Sequence, residues 1–325
     1  MAVYSGGSGG AGAGRSRTTL YIVIVAVTIV VVAVAGYLLL GRGGPAEPPA
    51  NVEGIAPAEP NTTGAMQVAA ETNDTTSGLI AQAMALLNQQ PPKVIEARDR
   101  LNEVLPMVGG QQRAFVKEQL AALADKWLFS KEVVPGDKLC GSYKVGAGDL
   151  LATIGKRHNV PYEILMQING IAKPEALQAG VAIKVINGPF NARVYRSTFT
   201  MDLYLQNTYI KSFPVGLGKP GKETPTGRWR VKADGKLVKP IWTDPTTGRT
   251  YHPEDADYPL GSRWIALDGI EGAAVGKTGF AIHGTNNPEQ IGAPGSQGCI
   301  RLHNGDVVTV YNLMMPGVSL IDVAE

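Results

Sequence analysis

The chain has 325 residues, 44% of them hydrophobic, enough for about two domains with buried cores, so a wholly disordered protein is excluded. Lys and Arg number 30 against 28 Asp and Glu, a net charge of +2, which leaves no extended positive field for a nucleic acid partner. Two cysteines cannot build a disulfide framework or a four-thiolate zinc site, while 40 Gly and 22 Pro point to linkers and turn-rich β structure.

Residues 1–17 are rich in Gly and Ser and read as a disordered cytoplasmic terminus. Residues 18–41 carry no charge, and Leu20 to Leu40 is almost wholly apolar. As a helix this run is about 30 Å long, the thickness of a bilayer core, so a single N-terminal transmembrane helix is expected. Arg15 and Arg17 precede it, and after Arg42 no basic residue occurs before Lys93. The positive-inside rule then leaves the N-terminus in the cytoplasm and exports the rest, giving a single-pass inner-membrane protein with a periplasmic body. A signal peptide cleaved near Ala33-Val34-Ala35 would export the same body. In an oxidising compartment a Cys140 to Cys299 disulfide is open to the chain.

Residues 42–76 contain five prolines, no basic residue after Arg42, and the acids Glu47, Glu53, Glu59, Glu71 and Asp74, and they read as an extended spacer. Across 77–133 three apolar series have helical spacing: Leu79, Ala83 and Leu86; Val94, Ala97, Leu101 and Leu105; Val116, Leu120, Leu123 and Trp127. Pro91-Pro92 and Pro106 to Gly110 separate them. A packed stalk is the simpler expectation, with docking of a protein partner as the alternative.

Residues 142–187 read strand, helix, helix, strand: Tyr143 to Val145, two short helices carrying Ile154, Ile164, Leu165 and Ile168, then Val181 to Ile186. From Phe190 the pattern is β. Met201, Leu203 and Leu205 alternate with polar residues up to a Gln206-Asn207 turn, and Asp234-Gly235 has the form of a type I′ hairpin turn. Further strands are expected at Trp264 to Leu267, Phe280 to Ile282 and Val318 to Val323, giving a sandwich or barrel-like sheet.

The chemistry gathers near the C-terminus, in His283-Gly284-Thr285 and Ser296-Gln297-Gly298-Cys299-Ile300-Arg301-Leu302-His303-Asn304. A thiol is a weak nucleophile until it loses its proton, and an imidazole brought beside it can take that proton. Gly298, without a Cβ, lets the amides of Gly298 and Cys299 approach a substrate carbonyl as an oxyanion hole does. Arg301, two residues on, lies on the same side of an extended strand and could grip a carboxylate. The Gly284 carbonyl is placed to orient the imidazole. His303 is the rival base, although Asn304-Gly305-Asp306 looks like the turn and cap before a Val307 to Leu313 helix. His252, Glu254, Asp255 and Asp257 lack the fixed spacing of a metal motif and read as a flap, so neither metal nor cofactor is called for.

Two resemblances follow from these residues. The 142–187 unit resembles a LysM domain through Tyr143-x-Val145, Gly148-Asp149 with Leu150, Ile154, Asn169 and Gly180, which implies binding of peptidoglycan glycan with Gly148, Asp149 and Asn169 at the glycan site. Residues 190–325 resemble the YkuD-type L,D-transpeptidase catalytic domain through Pro214-Val215-Gly216, Thr224-Pro225-Thr226-Gly227, Pro259-Leu260-Gly261-x-Arg263-Trp264, His283-Gly284-Thr285 and Ser296-x-Gly298-Cys299-Ile300-Arg301. By that resemblance the sheet is an all-β sandwich, Cys299 is the acylated nucleophile, His283 its base and Gly284 the orienting carbonyl. Ser296, Gly298, Arg301 and Thr285 form the substrate pocket. Many members have His where this chain has Gln297, which bears on substrate preference. The implied activity forms an acyl-enzyme with a stem tetrapeptide, releases D-Ala, and either makes a 3-3 crosslink or attaches a wall protein. An L,D-carboxypeptidase on the same scaffold and a non-catalytic peptidoglycan tether are the alternatives.

Overall fold

A computed structural model describes residues 62–325, with side chains from residue 75. The residues read as a cytoplasmic terminus and a transmembrane helix, and most of those read as a spacer, lie outside the described residues. Among those described, no helix is long and apolar enough to cross a membrane.

The helical region opens with α1 (Thr62–Leu87), followed by α2 (Val94–Val104) and α3 (Gly110–Trp127). The first helix begins inside the stretch read as spacer. After Pro60 the sequence has no further proline before Pro91, and Ala65, Met66, Ala69, Ala70 and Glu71 are strong helix formers. Two prolines in a row end α1, as expected, and Ala97, Leu101, Val116, Leu120, Leu123 and Trp127 are buried as their spacing requires.

The expected βααβ unit is present. Strand β1 (Cys140–Lys144) pairs antiparallel with β2 (Ala182–Ile186), and α4 (Leu151–Arg157) and α5 (Tyr162–Asn169) lie between them in sequence. Gly170 ends α5 in the left-handed conformation that glycine adopts without penalty.

Twelve strands make up the rest: β3 (Phe190–Tyr195), β4 (Thr200–Leu205), β5 (Thr208–Pro214), β6 (Leu217–Gly218), β7 (Gly227–Leu237), β8 (Trp242–Thr243), β9 (Thr250–Tyr251), β10 (Trp264–Glu271), β11 (Phe280–His283), β12 (Pro294–Ser296), β13 (Ile300–Arg301) and β14 (Leu320–Ala324), with helix α6 (Asn304–Leu313) between the last two. Eight of them form one mixed sheet in the order β13-β11-β10-β7-β14-β3-β4-β5; β6 pairs with β12 and β8 with β9. The all-β catalytic domain is thus as expected, and the Gln206-Asn207 hairpin joins β4 to β5.

Two expectations need correction. Asp234-Gly235 is not a hairpin turn: both residues lie inside β7, where the chain bulges between the pairs Val231–Leu267 and Lys236–Ile265. Neither has the positive φ that a type I′ turn demands, and Gly235 is required instead because a Cβ would lie 2.9 Å from that of Lys232. The helical region is not a stalk standing apart. Helices α2 and α3 pack on β5, the edge strand of the large sheet; Asn102 of α2 accepts the backbone N–H of Tyr209 at 2.8 Å, and Lys117 of α3 meets Asp202 at 2.6 Å. Together they cover an edge that would otherwise present unpaired donors. For the same reason Asp202, one of the polar residues alternating with Met201, Leu203 and Leu205, is fully buried and also takes a hydrogen bond from Ser212. Of the two states left open for the cysteines, the structure has the unpaired one: Cys140 and Cys299 are both free thiols, Cys140 buried at the start of β1, where burial pushes its pKa up to about 12.

Candidate active site

Register brings the candidate residues together. Strands β11 and β13 run parallel with Ile282 opposite Ile300 and His283 opposite Arg301. Because side chains alternate along a strand, Ile282 and Ile300 point into the core, 0% and 1% exposed, which leaves His283, Cys299 and Arg301 on the opposite face. All three line one cavity of about 500 Å³.

His283 is 5% exposed and stacks on Trp264, its register partner on β10, at 5.5 Å between ring centres. Its Nδ1 lies 2.6 Å from the Gly284 carbonyl. A carbonyl only accepts, so Nδ1 carries the proton and Nε2 presents a bare lone pair. Burial lowers the His283 pKa from 6.5 to about 4; the Gly284 and Leu260 carbonyls oppose this and the Arg301 charge adds to it. Burial raises the Cys299 thiol above its ordinary value, against the pull of the Ala281 amide and Arg301. The resting pair is therefore neutral thiol and neutral imidazole at neutral pH, not the ion pair that the residue types alone suggested.

The turn before Cys299 is built by Ser296 and Gly298. Ser296 is 2% exposed; its hydroxyl donates to the Cys299 carbonyl at 2.7 Å and accepts the Gly298 N–H at 3.0 Å. Ser296 thus shapes the nucleophile turn, and since the Gly298 amide is engaged, only the Cys299 amide remains of the two considered for an oxyanion hole. Gly298 has φ +117° and a Cβ there would sit 2.6 Å from the Phe280 ring, so the position admits only glycine. Its carbonyl accepts the buried Thr224 hydroxyl at 2.9 Å. The Arg301 guanidinium is held by the Gln290 side chain and the Gly295 carbonyl. Thr285 is 4% exposed and engages Asn287.

Asn304 was read only as part of a turn and cap, yet it heads α6, and the N-cap position is His303. Its side chain accepts from Ser262 N at 3.1 Å and Thr285 N at 3.3 Å and donates to Thr285 O at 2.9 Å, so it ties the loop after Leu260 to the loop after His283. No spacing rule marks this, because the tied loops are far apart in sequence. His303 does not line the cavity. None of His252, Glu254, Asp255 and Asp257, read as a flap, lines it either; the preceding residues Trp242, Asp244 and Pro245 do, and the mini-sheet beside them is braced by Trp242 stacked on Tyr251 and by Arg249 paired with Asp257 at 2.7 Å. The carboxylate of Asp255 caps the His252 N–H.

In the βααβ unit, Gly148 has φ +82°, and Asp149 accepts from the Tyr143 hydroxyl and the Gly146 amide, which holds its carboxyl below the ordinary range. Asn169 is 7% exposed, its amide bonded to Leu165 O and to both backbone groups of Lys184. The structure gives Asn169 the task of holding α5 to β2, and it takes its place in the wall of a small cavity beside Val181 and Leu177. His158 is half-buried against Asn187.

Fold and site define a cysteine–histidine cavity on a β domain that adjoins a βααβ module. The model of the L,D-transpeptidase catalytic domain, YkuD, matches residues 191–323, and that of the LysM domain matches 143–185. The putative L,D-transpeptidase YkuD of Bacillus subtilis (strain 168) is 31% identical over 183 residues, covering 54% of this chain and 94% of that protein. The probable L,D-transpeptidase YcfS of Escherichia coli (strain K12) is 26% identical over 230 residues, 64% of this chain and 69% of its own. The NMR structure of the catalytic domain from the E. faecium L,D-transpeptidase is 20% identical, with a TM-score of 0.32, over 41% of this chain and 95% of that one. The chain belongs to the YkuD L,D-transpeptidase family.

Proposed function

We propose that the protein is a peptidoglycan L,D-transpeptidase in which Cys299 is the nucleophile and His283 the base. The observation that carries this is the bare Nε2 of His283, left free because Nδ1–H is committed to Gly284 O, in the same cavity as Cys299. When a stem tetrapeptide enters, the thiol proton passes to Nε2 as sulfur attacks the carbonyl of the residue before the terminal D-Ala. The imidazolium returns that proton to the leaving D-Ala amine, and an acyl thioester remains on Cys299. An amine from a neighbouring stem or a wall protein displaces the thiol, giving a 3-3 crosslink or an anchored protein. The Cys299 amide stabilises the oxyanion, Arg301 faces the substrate carboxylate, and the flap around Trp242 limits water.

The LysM module supports binding to peptidoglycan glycan near the Gly148-Asp149 turn. The apolar run of 18–41 supports an inner-membrane anchor, with the N-terminus in the cytoplasm and the catalytic domain in the periplasm. Accessibility of introduced cysteines to an impermeant thiol reagent in intact cells tests that topology.

The catalytic reading is tested by mass spectrometry of the protein incubated with disaccharide-tetrapeptide, beside Cys299→Ala. A dimer that has lost one D-Ala, formed only by the wild type, is expected. Tripeptide monomer alone would make the enzyme an L,D-carboxypeptidase. No product and no adduct on Cys299 would refute the reading.

A further inference from the structure

The LysM module is joined to the catalytic domain by Asn187-Gly188-Pro189 alone, too short a connection to act as a free tether. That connection is itself tied down, since Gln206, in the β4–β5 turn, donates to the Asn187 carbonyl at 2.9 Å. A second contact lies away from the linker. Glu163, in the first turn of α5, meets the Lys236 ammonium of β7 at 3.3 Å, with the two side chains 24% and 7% exposed. The same ammonium stands 4.2 Å from the centre of the Tyr311 ring on α6, and the Arg263 guanidinium stands 5.3 Å from it. Burial lowers the Lys236 pKa, Glu163 opposes that, and Arg263 adds to it. Swinging the module away would break the Glu163–Lys236 pair and leave Lys236 without the opposite charge that offsets Arg263.

The other two interfaces close in the same way. Lys184, on LysM strand β2 and 2% exposed, donates its ammonium to the carbonyls of Trp127, Ser130 and Glu132 at and beyond the end of α3. Lys117 of α3 reaches Asp202 of the catalytic sheet. Helices, LysM module and catalytic domain thus form a closed ring with one lysine at each contact.

We propose that the LysM module is a fixed subsite of this enzyme, and that the Glu163–Lys236 pair holds its glycan surface in one register with the Cys299 cavity. The enzyme then acts on stem peptides at a set position along a bound glycan strand, not on any peptide within reach. The proposal rests on the catalytic and LysM readings above. Glu163 and Lys236 are positioning residues; neither lines the catalytic cavity.

The test uses the full chain in detergent and compares intact insoluble peptidoglycan with soluble disaccharide-tetrapeptide. For Glu163→Lys, kcat/KM on the polymer is expected to fall about tenfold, through lost effective concentration, with turnover of the soluble substrate unchanged. The exchanged pair, Glu163→Lys with Lys236→Glu, is expected to restore the polymer rate. Glu163→Gln, which keeps the side-chain shape, should show a smaller loss of the same kind and serves if the lysine variant fails to fold. Equal losses on both substrates, or no loss on the polymer, would overturn the proposal. Absence of wild-type turnover on the soluble substrate would refute the catalytic reading itself and the proposal with it.

Discussion

His283 is buried neutral, and this makes the stability of the domain depend on pH in a calculable way. In the unfolded chain the imidazole titrates near 6.5, whereas in the fold burial holds it at about 4. As pH falls below 6.5 the unfolded state takes up a proton that the folded state refuses, so stability falls with pH and stops falling below about 4. At about 1.4 kcal/mol per pH unit, the full loss is on the order of 3 kcal/mol. Urea unfolding of wild type and His283→Gln between pH 4 and 7.5 reads it, because every other group is common to both proteins and cancels in the difference. Wild type should lose about 3 kcal/mol more than the variant across that range. The same protonation sets the acid limb of kcat/KM near pH 4, well below the limb of a free imidazole, and alkylation of the resting Cys299 by iodoacetamide should be slow at neutral pH. Parallel stability curves for the two proteins, or an acid limb at 6.5, would refute the buried neutral base.

Gly298→Ala places a side chain at φ +117° and against the Phe280 ring, which should cost about 1–3 kcal/mol of stability, seen as a lower thermal midpoint, and depress kcat together with acylation of Cys299. Asn304→Ala leaves the Ser262 and Thr285 amides without their acceptor; about 2 kcal/mol of stability should go, and kcat should fall more than KM rises, as chemical denaturation and steady-state kinetics will show. Lys184→Met strands three carbonyls between LysM and α3, and the expected loss of about 2–4 kcal/mol should appear as faster limited proteolysis after Trp127.

The order of modules was legible along the chain because each carries a local signal: the βααβ periodicity, the alternation in β4, and the His-Gly and Ser-x-Gly-Cys segments that mark the candidate nucleophile and base. Periodicity states which face of an element is apolar. It does not state what covers the other face, and so neither the burial of Asp202 nor the seating of the helices on the sheet edge could be read from it. The Asp234-Gly235 pair shows the same limit, since a dipeptide that favours a turn is overridden once β10 pairs with the chain on both sides of it.

Sequence alone determined the residue types at the site and the linear order in which they come. Only the tertiary structure decided their protonation, because burial, not neighbour identity, sets the thiol and imidazole neutral, and only register on β11 and β13 turned His283, Cys299 and Arg301 to one face. Asn304 and the three interface lysines were invisible for a related reason: their partners lie far off in the chain, and a hydrogen bond between distant segments leaves no periodic trace in either of them.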